Sequence, residues 1–168
     1  FGPLTPTGLV RASYGVIGGN MYEASGCFVQ TAHTVIECTT VPGVGKPLFW
    51  TVTVDGQNST VPTTTYARPE IHNISSGTSA SSDSWDIEAA DTSGGQLVVI
   101  SGAYFGALGN TDIDAVTYGT EGRTYSAQGC TVVANSPSTE SVMFCTTAPG
   151  VGRDLRFIVK VGGQELSL

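Results

Sequence analysis

The sequence predicts an all-β protein built from two tandem β-sandwiches, and three observations carry that prediction. Residues 38–59, CTTVPGVGKPLFWTVTVDGQNS, return at 145–166 as CTTAPGVGRDLRFIVKVGGQEL, in one gapless frame offset by 107 positions. Such density of identity marks an internal repeat, and a repeat in a chain of 168 residues divides it into two small units. Apolar residues make up 40% of the chain and charged ones only 12%, with Ser, Thr and Gly filling much of the rest. Strong helix formers such as Lys, Glu and Gln are therefore scarce. No window sustains a 3.6-residue apolar period, and the apolar runs are short and bounded by Gly and Pro, as strands are.

Taken in order, residues 1–15 (FGPLTPTGLVRASYG) match 105–119 (FGALGNTDIDAVTYG) at an offset of 104. The first repeat thus begins partway in. The stretch matching residues 66–104, about 39 residues, has no copy in front of it, so the first sandwich is expected to lack its opening strands. A Gly-rich turn follows Tyr14-Gly15, then residues 20–23. Residues 27–29 and 35–38 read as two strands around a turn at 30–34. The Val41-Pro42-Gly43-Val44-Gly45 run is a loop of turn formers. From Leu48 to Asp55, Leu48, Trp50, Val52 and Val54 alternate with Phe49, Thr51 and Thr53, the pattern of a half-buried strand that closes the first unit. The expected division is a first domain over 1–61, a linker over 62–69 with Pro62 and Pro69, and a second domain over 70–168.

In the second unit, strands are expected over 70–75 and 96–101, where Leu97-Val98-Val99-Ile100 suits a sandwich core. Others follow at 114–118, 123–125, 130–134, 141–146 and 155–161. About seven short strands with turn signals every 8–12 residues is the pattern of an immunoglobulin-like sandwich. Residues 76–93 stand as an insert between its first two strands.

Composition excludes some functions. The net charge is −7, with 14 acids against 7 bases. Residues 1–65 carry three acids and two bases, the remainder eleven and five. No basic stripe exists to neutralise phosphates, so nucleic acid is not an expected partner. No apolar run is long enough to span a bilayer. The chain opens on FGPLTPTG without a signal-peptide pattern, as a mature product, a fragment or part of something longer would.

Cysteines come two per repeat, Cys27 with Cys38 and Cys130 with Cys145. Of the three possible pairings the repeat favours this local one. Such bonds would stabilise each unit by roughly 3 kcal/mol and imply an oxidising, extracellular or cell-surface setting. Asn58-Ser59-Thr60 and Asn73-Ile74-Ser75 are N-glycosylation sequons. Thr63, Thr64 and Thr65 are candidate O-glycan acceptors.

The run R-P-E-I-x-x-I-S at 68–75, G-G-Q-L-V-V-I-S-G-A-Y-F-G at 94–106, V-T-Y-G at 116–119, Cys130, C-T-T-A-P-G-V-G at 145–152 and V-x-V-x-G at 159–163 resembles the IPT/TIG domain. This immunoglobulin-like sandwich occurs in plexin- and Met-type receptors, Rel-type transcription factors and microbial and algal surface proteins. The resemblance covers 66–168 and the later part of the pattern in 1–59. It implies a fold and little about activity. The chain departs from the family in the missing opening strands and in the 76–93 insert.

Candidate chemistry is sparse. Asn110, Asp112, Asp114 and Glu121 have the spacing of a calcium loop, but Ala115 stands where the turn needs glycine. Asp83, Asp86, Glu88 and Asp91 read as a solvated acidic loop. No nucleophile–base–acid constellation is apparent, and neither an enzyme, a metal nor a cofactor is expected. A sandwich without its first strands exposes a strand edge, which is a template for strand addition. Trp85, Ile87 and Ala89 alternate with acids and form a candidate donor strand. The expected function is a glycosylated surface protein whose subunits join head to tail into a fibre or adhesive array, the partner being a second copy. The alternatives are a ligand-binding or stalk segment of a receptor-type ectodomain, and a fragment whose upstream residues have been removed.

Overall fold

The computed structural model describes residues 10–76, 90–109, 112–135 and 140–167. The chain divides into two compact units, Phe1–Tyr66 and Ala67–Leu168. Every element among the described residues is a β-strand, paired antiparallel, in an arrangement consistent with β-sandwich domains. Among those residues no helix is long and apolar enough to cross a membrane.

The first unit contains β1 (Val10–Gly15), β2 (Met21–Glu23), β3 (Ser25–Thr31), β4 (Val35–Thr39), β5 (Leu48–Val54), β6 (Gln57–Asn58) and β7 (Thr63–Thr64). One sheet runs β2-β1-β5-β6, with β7 also against β5. The other holds β3 and β4 alone. In the first sheet Ala12 lies opposite Val52 and Tyr14 opposite Trp50. Ala12, Tyr14, Ala24 and Leu48 form the buried core, with Val16, Tyr22, Trp50 and Val52 packed around it.

The second unit contains β8 (Glu70–Ser76), β9 (Leu97–Ala103), β10 (Ile113–Gly119), β11 (Tyr125–Ser126), β12 (Gln128–Asn135), β13 (Ser141–Thr146), β14 (Arg156–Val161) and β15 (Gln164–Ser167). Its sheets run β11-β10-β14-β15 and β12-β13-β9-β8. The β9 run is buried almost throughout, as its unbroken apolar stretch requires. Val98, Ile100, Val132 and Met143 of one sheet and Val116, Tyr118, Val159 and Val161 of the other are all buried.

Strand register repeats between the units. Val29 pairs with Ile36 as Val132 pairs with Met143, and both hairpins carry irregularities at matching positions. Besides β7, which falls in the expected linker, two strands were not expected from the sequence, β6 and β15. Both follow two-residue turns, Asp55-Gly56 and Gly162-Gly163, whose residues all have positive φ. That conformation is the one tight hairpin turns need, and Asp-Gly and Gly-Gly supply it at low cost.

The expected linker over 62–69 is corrected at its front. Thr63 and Thr64 pair with Phe49 and Leu48, and the Trp50 backbone N–H donates to the Pro62 carbonyl at 2.9 Å. The Trp50 indole N–H donates to Thr64 Oγ1 at 2.7 Å. These donors on the edge of β5 hold residues 62–66 to the first unit. The expected strand over 123–125 is shifted, because β11 begins at Tyr125. The insert expected over 76–93 is described only at its two ends, Ser76 and residues 90–93.

Candidate functional site

The repeated loop is held in the same way in both units. In the first, the Tyr14 hydroxyl accepts from the Val41 N–H at 3.0 Å, its oxygen lying 3.3 Å from the Val41 carbonyl. The Tyr22 hydroxyl accepts from the Val44 N–H and donates to the Val44 carbonyl, both at 3.0 Å. In the second, Tyr118 grips Ala148 at 2.9 and 3.0 Å and Tyr125 grips Val151 at 3.1 and 2.8 Å. A phenol that both accepts and donates satisfies two backbone groups of a loop with no ladder partner. The glycine of each Pro-Gly permits this. A Cβ on Gly43 would come within 2.6 Å of the Tyr22 ring, and one on Gly150 within 2.6 Å of the Tyr125 ring. Tyr14 stacks on Trp50 and Tyr118 on Phe157, so each clamp also rests on the strand after its loop. The sequence expectation did not identify these tyrosines. Their signal was the recurrence, in both repeats, of a Tyr-Gly pair followed by a second tyrosine, Tyr14 then Tyr22 and Tyr118 then Tyr125.

The cysteines form two bonds, Cys27–Cys38 joining β3 to β4 and Cys130–Cys145 joining β12 to β13. No described cysteine is free.

The two hairpins differ in their neighbours. β13 lies between β12 and β9, with Met143 opposite Ile100 and Cys145 opposite Val98. β4 pairs only with β3 among the described residues. Consequently Met143 is 0% exposed and Cys145 1%, while the counterparts Ile36 and Cys38 are half-buried. Val35 is 40% exposed and Phe28 48%. Among the described residues, the side of β4 that corresponds to the β9 side of β13 has no pairing strand, and the apolar side chains beside it are partly covered.

The other sequence candidates are dispersed. Asn58 is exposed on β6, its Oδ1 accepting from the Thr53 hydroxyl at 2.8 Å. Asn73 is half-buried in β8. Thr63, Thr64 and Thr65 are exposed, though the Thr64 hydroxyl is engaged by Trp50. Asp114 Oδ2 accepts from the Gly163 N–H at 2.7 Å and so anchors the β14–β15 turn. Asp91 Oδ1 accepts from the Ser93 N–H and hydroxyl, which holds its carboxyl below the usual range. Among the described residues no group of three metal-ligating side chains converges. His33 sits in a turn with φ 64°, and His72 lies 3.6 Å from Glu70 on the exposed side of β8. Trp85, Ile87, Ala89, Asn110, Asp83, Asp86 and Glu88 lie outside the described residues.

Compared with known proteins, the chain finds no match among family models, curated proteins or solved structures.

Proposed function

We propose that this chain is a non-enzymatic, extracellular structural module of two IPT/TIG-like sandwiches, which assembles head to tail by strand addition at β4. One observation carries the reading: β4 has a single neighbour among the described residues, where its repeat counterpart β13 has two. An unpaired edge presents a row of backbone donors and acceptors, and a strand from another chain can complete them. The added strand would have the character of β9, apolar on the side that meets Ile36 and Cys38. Residues 84–89 of a second copy have that character, with Trp85, Ile87 and Ala89 alternating with Asp86 and Glu88. Because donor and acceptor are different parts of one chain, the contact is heterologous, and with a rotation that does not close into a ring it generates a fibre. The two disulfides are typical of an oxidising compartment and support the extracellular assignment. The exposure of Asn58 makes it the stronger of the two glycan acceptors.

The test is negative-stain microscopy and sedimentation of the full chain beside the Trp85→Asp/Ile87→Asp variant. Concentration-dependent polymers in the first and monomers in the second are expected. A parent chain that stays monomeric at every concentration would overturn the proposal.

A further inference from the structure

The two clamped loops differ in one respect that strand addition at β4 does not explain. In the first unit a third tyrosine completes the clamp. The Tyr66 hydroxyl lies 2.8 Å from that of Tyr14 and donates to the Val41 carbonyl, while its ring meets Tyr22 edge-on at 5.7 Å. The Tyr66 N–H donates to the Gly45 carbonyl at 3.2 Å. Tyr66 arrives at the end of an extended segment, residues 62–66, lying along the edge of β5.

Among the described residues, the same place in the second unit is a cleft of about 600 Å³, lined also by Ile74 and residues 90–92. Each group that receives Tyr66 has its repeat counterpart in the lining. Tyr118 stands for Tyr14, Tyr125 for Tyr22, Ala148 for Val41 and Gly152 for Gly45. Phe157, the counterpart of Trp50, lines it as well, stacked on Tyr118 at 4.9 Å. On the edge of β14 away from β10, β15 pairs only from Ile158 onward, so among the described residues no strand pairs with residues 155–157 on that side.

We infer that this cleft is a peptide-binding site for an extended, tyrosine-bearing segment. The segment adds to the edge of β14 at residues 155–157 and places its phenol between Tyr118 and Tyr125. The incoming phenol donates to the Ala148 carbonyl, and the tyrosine's own N–H donates to the Gly152 carbonyl. Recognition then rests on one aromatic anchor with a hydroxyl, plus main-chain pairing that tolerates varied neighbours. Phe157 lacks the indole N–H that holds Thr64 in the first unit, so no hydroxyl is required two residues before the tyrosine.

The probe is a synthetic peptide with the sequence of residues 60–68, TVPTTTYAR, titrated into the isotope-labelled full chain and followed by backbone NMR. Saturable shifts are expected at residues 148–152 and 155–157. Replacing the peptide tyrosine with phenylalanine should weaken binding about 5-fold, the effect of one hydroxyl hydrogen bond. Replacing it with alanine should weaken binding about 30-fold or more, through loss of the ring. All variation lies in the peptide, so folding of the protein is not at issue. Equal affinity of the tyrosine and alanine peptides, shifts confined to other regions, or no shift at all would each overturn the inference.

Discussion

Val52 and Val159 occupy the same place in the repeat, opposite Ala12 in β1 and Val116 in β10. Val159 is nevertheless 0% exposed, and Val52 is half-buried. Val54 and Val161 differ in the same way, as do Cys38 and Cys145. Pairing register is written locally, by alternation and turn chemistry, and the two units share it apart from a shift between Ile113 and Ala115 in β10. Burial depends on a second layer, and only the second unit has β8 and β9 to add to its hairpin. The opposite holds at the loop, where Tyr66 completes the first unit and the second keeps a cleft. Among the described residues, each unit therefore shows, in place, a kind of element that the other does not.

The comparison breaks hardest at the disulfides. The bridged loops are of similar size, with separations of 11 and 15 residues. Chain entropy alone therefore predicts a loss of about 3 kcal/mol for either Cys→Ser pair. The consequences should differ, since the first unit has the smaller buried core. Cys27→Ser/Cys38→Ser should unfold the first unit near ambient temperature, while Cys130→Ser/Cys145→Ser leaves the second folded with a lowered midpoint. Calorimetry of both variants checks this, and equal midpoint shifts would show that core size is irrelevant. The valines come next. Val159→Ala should cost about 2.5 kcal/mol, and Val52→Ala about 1 kcal/mol, because the half-buried site leaves less of a cavity. Hydrogen exchange in each unit reads the two losses separately. If strand addition covers the first unit, the Val52→Ala loss should rise toward that of Val159→Ala in assembled material.

The duplicated CTT-x-PGVG stretch made the two-unit plan legible, since an exact offset needs no knowledge of packing. The β9 strand was legible from Leu97–Ile100, because an unbroken apolar run has few other uses. The tyrosine clamp was not. Tyr14 and Tyr118 look like ordinary inward residues of a strand, and nothing local shows that their hydroxyls reach a loop about thirty residues away. Gly43 and Gly150 look like turn glycines, whereas what they provide is room for a ring. The linker expected over 62–69 rests on Pro and Thr, which signal extended chain. That an extended segment lies against β5 depends on Trp50, whose two N–H groups offer it partners.

The smallest expected difference concerns Tyr66 and alkaline pH. Tyr66→Phe removes the hydroxyl contacts to Val41 and Tyr14 and should destabilise the first unit by about 1 kcal/mol, with no effect on the second. The same hydroxyl sets a pH dependence. Burial first, then the hydrogen bond to Tyr14, raises the Tyr66 pKa well above its ordinary value. Burial also raises that of Tyr118. A tyrosine is neutral when protonated, so a raised value means that the folded state holds the proton more tightly than the unfolded state. The contribution is fully present below the unfolded tyrosine value of about 10 and is lost as pH rises through and above it. The first unit should therefore lose stability above about pH 10, and Tyr66→Phe should flatten that loss. Thermal midpoints of both units, measured between about pH 8 and 11, provide the check. A parent and variant that decline in parallel would show that the alkaline sensitivity does not arise at Tyr66, and that the third tyrosine only fills space.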